Sequence, residues 1–137
     1  MINLTTAVFG KMTSATDLYA DIGGRLRKGE AQQGDEMPYV VFSVIGDMPQ
    51  YPGGHTLEDV LLQFSLFSEA SGSTEIENML THLRSLYDDC TLTITSNTLI
   101  YFIRGNFTAL RDEVISDQGT VGIWHYVQEY DVMALKT

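Results

Sequence analysis

The stretch Gly23–Gly54, GGRLRKGEAQQGDEMPYVVFSVIGDMPQYPGG, decides the fold of this chain. Gly23-Gly24 closes a helical N-terminal region, and a loop over Ala31–Met37 leads to Pro38, where proline suits the first position of a strand. The residues that follow are apolar on both faces, with Val40, Phe42 and Val44 on one and Tyr39, Val41 and Ile45 on the other. This pattern predicts a strand covered on both sides. Turns are predicted around Asp47-Met48-Pro49 and Tyr51-Pro52-Gly53-Gly54.

Apolar residues before this stretch recur at helical spacing. They predict two helices within the first 22 residues, with a break at Thr13-Ser14 and Ser14 as the N-cap of the second helix. Arg25–Glu30 is predicted to be a short strand. Together these elements bring the chain from an N-terminal helical layer into a sheet.

Two clean apolar stripes follow. Alternation over residues 57–67 predicts a strand with one apolar face, formed by Val60, Leu62, Phe64 and Leu66. Spacing of three and four predicts a helix over residues 74–88 with the stripe Ile76, Met79, Leu80, Leu83, Leu86 and Tyr87. Thr74 and Glu77 fit a capping box, with Ser73 as the alternative cap. We expect Ile76, Leu80, Leu83 and Leu86 to pack on that strand face.

The C-terminal part is predicted to form a hairpin. A strand is expected at Leu92–Thr95, or a longer one starting after Ser96-Asn97. Leu99–Phe107 is predicted to be a strand with a bulge or kink at Gly105, Leu110–Gly119 a polar hairpin loop, and Val121–Leu135 the last strand. The order α, β, β, β, α, β, β predicts one α+β domain over residues 1–137. Its sheet is mostly antiparallel, with two or three helices packed on one face.

Composition limits the function classes. The 137 residues carry a formal net charge of −10, which argues against binding phosphate backbones, because these need clustered Lys and Arg. The acidity fits a solvated surface or, alternatively, one that repels DNA or meets a basic partner. A single cysteine, Cys90, favours a reducing compartment. We expect neither a signal peptide nor a membrane span.

Chemistry-bearing residues form no recognisable motif. The three histidines, His55, His82 and His125, have no partner at metal-ligand spacing. Asp88-Asp89 next to Cys90 would raise the thiol pKa, which is the wrong direction for a nucleophile. The glycine pairs match no phosphate-binding loop. We therefore predict no catalytic, cofactor or metal site, and a protein that is not an enzyme.

Three segments carry a family resemblance: Gly24-Arg25-Leu26, the loop at Gln33-Gly34 and Pro38-Tyr39-Val40-Val41-Phe42. With the strand, the helix and the long hairpin after them, they resemble the small phage tail completion proteins, the tail terminator and tail-to-head joining family of long-tailed phages. The resemblance follows the order of elements over nearly the whole chain. In this family an aromatic residue and a proline often follow the Arg-Leu or Arg-Ile step, whereas Arg27-Lys28 follow Arg25-Leu26 in this chain.

The resemblance implies a virion protein, assembled in the host cytoplasm, that forms a homohexameric ring at the head-proximal end of the tail. The ring caps the tail tube, joins it to the head connector, and lets DNA pass without specific binding. The expected interface or lumen residues are Asp112, Glu113, Asp117, Tyr51 and Arg27. The loops at 29–37, 46–56 and 110–120 are expected to make contacts. The alternatives are a small oligomeric α+β binding protein, a head-tail connector subunit or a tail tube protein.

Overall fold

The computed structural model describes residues 2–14, 16–30, 32, 34, 36–116 and 119–136. Two helices, α1 (Ile2–Thr13) and α2 (Asp17–Asp21), precede a short strand β1 (Leu26–Lys28). The elements after them are β2 (Tyr39–Gln50), a 3-10 turn (Pro52–Gly54), β3 (Leu57–Ser68), α3 (Thr74–Tyr87), β4 (Asn97–Ser116) and β5 (Gly119–Lys136). The predicted α+β class is confirmed.

The five strands form one sheet in the order β1-β2-β3-β5-β4. β1 runs parallel to β2, and the other neighbours are antiparallel. β4 has two register shifts, and the one between Arg104 and Phe107 confirms the bulge predicted at Gly105. β1 and β4 are therefore the two edges of the sheet.

The core lies on one face of the sheet, under the three helices. The predicted contact between α3 and β3 is confirmed: Ile76, Leu80 and Leu83 share one cluster with the buried face of β3, and Phe64 stacks on Tyr87 at 4.8 Å. Leu86 is only partly buried at the margin of that cluster. We call this side of the sheet the helix face and the other side the open face.

Covering of β2 on both sides is confirmed only at the start of the strand. Val40 and Phe42 are buried beneath the helices, and Val41 on the open face is also buried, whereas Ile45 further along the strand is 50% exposed. The described helices pack on the helix face alone, so the second apolar side of β2 is not covered along its whole length. The apolar pattern was correct, but nothing among the described residues covers the open face at Ile45.

Two predicted loops are strand instead. β2 continues through Asp47-Met48-Pro49 to Gln50, paired with β3. Proline is tolerated there because β1 pairs only with Val40–Phe42 and leaves that edge of β2 open. Leu110–Ser116 belongs to β4 and pairs with β5 up to Ser116–Gly119. The predicted turn at Pro52–Gly54 is present.

Helix and strand ends also differ from prediction. Thr16, not Ser14, caps α2 by accepting from the Tyr19 amide. No side-chain cap hydrogen bond forms at Ser73. Residues 92–95 form only an isolated bridge from Ile94 to Asn97, and the strand starts at Asn97. None of the helices in the described ranges is long and apolar enough to cross a membrane.

Candidate assembly surface

The hairpin of β4 and β5 extends past the rest of the sheet. The last residue of β3 to pair with β5 is Ser68, opposite Trp124. Beyond it, Asp112–Ser116 and Gly119–Ile123 pair only with each other. At ~3.4 Å per residue, these five pairs extend about 17 Å. We call this two-stranded segment the ribbon.

The ribbon carries two of the predicted site residues on opposite faces. Asp112 pairs with Ile123 and Glu113 pairs with Gly122, and both acids are exposed. Because successive residues of a strand point to opposite faces, one surface cannot present both carboxylates directly. The third predicted acid, Asp117, lies outside the described residues. The expected cluster is therefore divided between two faces.

Apolar side chains are also exposed on the ribbon and at its base. Ile115 is 84% exposed, Leu110 46% and Val121 39%. On the helix face, the Arg111 guanidinium lies 4.5 Å from the centre of the Trp124 ring. A Cβ at Gly122 would collide with that guanidinium, so glycine allows Arg111 to lie across the ribbon. An isolated two-stranded hairpin is at best marginally stable in water, which favours a partner for this segment.

Tyr51 lies at the opposite end of the sheet. It follows β2, is 72% exposed, and lies close in sequence to exposed Met48 (65%). β3, with 12 residues, separates this end from the ribbon by about 40 Å. Tyr51 and the ribbon acids therefore belong to different surfaces of the monomer.

Arg27 lies on a third surface, in edge strand β1. It pairs with Val41, and its Nη1 donates to the carbonyl of Leu26 at 3.3 Å. Arg25 lies two residues before it and Lys28 follows it, so three basic residues lie in or next to this edge strand. The structure thus places the predicted site residues at three separate positions, two of them on opposite edges of the sheet.

A row of rings on the open face was not anticipated from the sequence. Tyr39 stacks on Phe67 at 4.8 Å, and Phe67 stacks on His125 at 4.2 Å. Burial lowers the pKa of His125, and Asp112 opposes that shift. The row follows from the strand register, because Tyr39 is paired with Phe67 and Phe67 with His125 across neighbouring strands. The row leads to Leu110, which pairs with His125 at the base of the ribbon.

A carboxyl pair lies further along the open face. The hydrogen bond that protonated Asp131 donates to the Asp59 carboxylate, together with burial and the Asp59 charge, raises the pKa of Asp131 to about 6. Tyr101 hydrogen-bonds to the same carboxyl group and partly offsets the rise. At neutral pH the two carboxylates therefore repel each other at the surface of the sheet.

A buried glutamine ties α3 to the sheet. Gln128 is fully buried, and its Oε1 accepts from Arg84 Nη2 at 2.9 Å and Nε at 3.1 Å. Its Nε2 donates to the carbonyls of Gly105 and Asn106 in the β4 bulge. The bulge therefore orients carbonyl groups toward Gln128. Alternation alone could not have identified this residue, because a glutamine on a strand normally indicates a solvent-facing position.

Reactive groups are dispersed. Among the described residues, no group of three or more His, Cys, Asp or Glu is placed to hold a metal ion. Burial is the main cause that raises the pKa of Cys90 to about 11, so its thiol is protonated at neutral pH. His82 Nδ1 contacts the Asp21 carboxylate on the helical layer. That His–Asp pair has no described serine or cysteine hydrogen-bonded to it.

Comparison with known proteins gives a whole-length structural match. No protein-family model matches the chain, and no curated protein is significantly similar to it. The fold is similar to that of a chain in a solved structure described as the virion of a native gene transfer agent (GTA) particle. The TM-score is 0.71 at 14% sequence identity, and the match covers 96% of this chain and 94% of the other. This likeness establishes a shared fold over essentially the whole domain.

Proposed function

We propose that this chain is a structural protein of a phage-like virion. The observation that carries the proposal is the match over 96% of the chain to a component of a gene transfer agent virion. The arrangement of exposed groups supports it: the apolar residues of the ribbon and those near Tyr51 lie at opposite ends of the sheet. Separated patches of this kind suit a subunit with several neighbours.

The finer proposal is a tail terminator. In this role the chain forms a ring, six copies being the number implied by the family resemblance, at the head-proximal end of the tail. The ring caps the tail tube and contacts the head connector. The sequence resemblance supports this role, and the dispersed reactive groups are consistent with a protein that is not an enzyme.

The acidity of the chain supports a passage for DNA. With a net charge of −10, a closed ring would present carboxylates to passing phosphates. Asp112 and Glu113 remain candidates for the lumen, but only the one on the inward face of the ribbon would line it. The resulting field, screened over ~8 Å at physiological salt, would keep DNA mobile.

Two other functions remain as alternatives. A tail tube protein or connector subunit would share the virion role but assemble differently: a tube protein stacks into open polymers, whereas a terminator stops at one ring. A small oligomeric binding protein would be a monomer or dimer with a ligand. The open groove on the sheet bounded by Met48, Leu61 and Asp131 is the place to look for such a ligand.

Negative-stain imaging of the purified chain, together with its mass by light scattering, tests the proposal. We expect closed rings of one size, alone or on addition of the tail tube protein of the same particle. Open stacks from the chain alone would favour a tube protein. A monomer inside purified particles would contradict the ring.

A further inference from the structure

The edge strand β4 leaves the protein core part way along its length. Phe102 is fully buried, whereas every residue from Ile103 to Glu113 is exposed. We call Phe107–Ser116 the distal half of β4, and it includes the β4 side of the ribbon. Because β4 is an edge strand, β5 is the only strand that pairs with this half. Its direction is therefore not fixed by strands on both sides.

A bulge lies where the distal half begins. The register shifts between Arg104 and Phe107, so that Gly105 and Asn106 together lie opposite Glu129. An extra residue of this kind bends its strand and increases the local twist. The angle at which the distal half continues therefore depends on how the backbone of the bulge is held.

The Gln128 side chain holds that backbone from the helix face. Its Nε2 donates to the carbonyl oxygens of Gly105 at 3.3 Å, Asn106 at 3.2 Å and Glu129 at 3.0 Å. Successive carbonyl groups of a regular strand point to opposite sides, so two of them converge on one amide only where a bulge reorients the backbone. The glutamine thus fits the bulged conformation and not a regular strand.

Arg84 of α3 fixes the orientation of this glutamine. The Oε1 atom of Gln128 accepts from Arg84 Nη2 at 2.9 Å and from Nε at 3.1 Å. A guanidinium group only donates, so the amide must present its oxygen to Arg84 and its nitrogen to the bulge. The guanidinium carbon also lies 5.1 Å from the centre of the Phe107 ring, where the distal half begins. One arginine therefore contacts both the residue that holds the bulge and the strand that leaves it.

Burial makes this arrangement selective. Gln128 is 0% exposed, so water would not replace a hydrogen bond that its amide group lost. A different bend of β4 would move the carbonyl groups of Gly105 and Asn106 away and leave buried N–H groups without acceptors. Other conformations of the bulge are therefore disfavoured.

We propose that Gln128, oriented by Arg84, is the positioning residue that fixes the direction of the distal half of β4 and hence of the ribbon. It acts through the bulge, from inside the core. This role belongs to the chain on its own. Only its consequence rests on the proposed function: a ribbon already held in one direction docks on a neighbour at a lower entropic cost.

Distances between α3 and the ribbon test the proposal. In a Cys90→Ser background, nitroxide labels at Thr81→Cys and Thr120→Cys give the distance distribution by pulsed electron paramagnetic resonance. Gln128→Glu retains the shape of the side chain and the acceptor for the arginine, but removes the donors to the bulge. We expect this variant to broaden the distribution.

The matched control is Gln63→Glu, the same change on the open face of β3. It should leave the distribution as in the wild type. A Gln128→Glu protein with a distribution as narrow as that of the wild type overturns the inference.

Amide hydrogen exchange separates a positioning role from a general loss of stability. In Gln128→Glu we expect the distal half of β4 to exchange about tenfold faster, as for one or two lost hydrogen bonds, while β3 keeps the wild-type rate. Equal acceleration in both strands overturns the inference.

Arg84→Met provides the second variant if Gln128→Glu does not fold, because it removes both donors to Oε1 and leaves the glutamine in place. We expect it to broaden the same distance distribution, and a narrow distribution overturns the inference. Both measurements use the chain alone, so failure of the proposed ring would not change their outcome.

Discussion

At the residue scale, aromatic side chains pack together where α3 meets β3. Phe64 stacks on Tyr87, and Tyr87 stacks on Phe102 with ring centres 5.5 Å apart. The Tyr87 hydroxyl donates to the carbonyl of Val8 at 2.7 Å, and burial raises its pKa. These contacts connect α1, α3 and the sheet through one side chain. Leu83 is fully buried in the same core, so shortening its side chain would leave a cavity.

We expect Leu83→Ala to lower the free energy of unfolding by about 2–5 kcal/mol, because the change removes buried contacts and leaves a cavity. Chemical denaturation followed by circular dichroism measures the loss. Leu110→Ala is the control: the same truncation at a half-exposed position should cost about 0.5 kcal/mol. Equal effects at both positions would contradict the assigned core.

Asp131 should make stability depend on pH. Its folded pKa, about 6, lies above its ordinary value of 3.8. The native state therefore binds a proton more tightly than the unfolded chain, and this contribution is full below the ordinary value and lost as pH rises through about 6. We expect Asp131→Asn to gain stability relative to wild type as pH increases from 4 to 7. Denaturation midpoints over this range test it, and a constant difference would show that the shift is absent.

At the element scale, the two clearest apolar patterns predicted a strand and a helix correctly. The sequence was misread as loop at the end of β2 and in the ribbon, both of which are strand. Residues 57–67 and 74–88 each bury one face, so their periods are clear. The ribbon is exposed on both faces, so it lacks the alternation that marks a half-buried strand. Its acidic residues and glycines are typical of loops, so the sequence predicted a loop there. At Asp47-Met48-Pro49, proline and aspartate likewise predicted a turn, although this end of β2 is a strand that pairs with β3 and has no partner from β1.

The candidate site was predictable only in part for the same reason. Exposure of Asp112, Glu113 and Tyr51 followed from their polarity and turn context. Their separation onto different surfaces depends on strand register, which the sequence does not define when both faces are polar. The stacked Tyr39–Phe67–His125 row and the Gln128 network likewise depend on which residues of distant strands become neighbours.

The ribbon should be dispensable for folding and required for assembly. Replacing residues 112–123 by an Asn-Gly turn that joins Arg111 to Trp124 removes only pairs that β3 does not contact. We expect a nearly unchanged unfolding midpoint, measured by denaturation, together with loss of rings or of head-to-tail joining in particles. Particles that mature normally with the shortened hairpin would exclude the ribbon from the interface.

At the scale of the whole molecule, the charge of the chain should govern its behaviour toward DNA. It has 18 Asp and Glu residues against 8 Lys and Arg, so many carboxylates must lack a partner within the chain. The three bases at the β1 edge are the largest local exception.

We therefore expect the assembled protein to show no affinity for duplex DNA at moderate salt, measured by fluorescence anisotropy. Charge reversal at Asp112, Glu113 and Asp117 together should slow DNA ejection from particles, because a basic lumen would retain phosphates. Ejection at the wild-type rate from intact particles would place these acids on an outer surface. Binding of DNA by the wild-type ring would contradict the proposal that its carboxylates repel the DNA phosphates.

The position of β5 has a consequence for how the chain is made. The last strand in sequence, Gly119–Lys136, lies between β3 and β4 and pairs with both. A growing polypeptide therefore cannot complete this sheet until residues 119–136 have left the ribosome. Until then, the apolar faces of β3 and β4 have no strand between them. Subunits can thus become competent to assemble only after β5 has emerged, which keeps nascent chains that lack it out of growing particles.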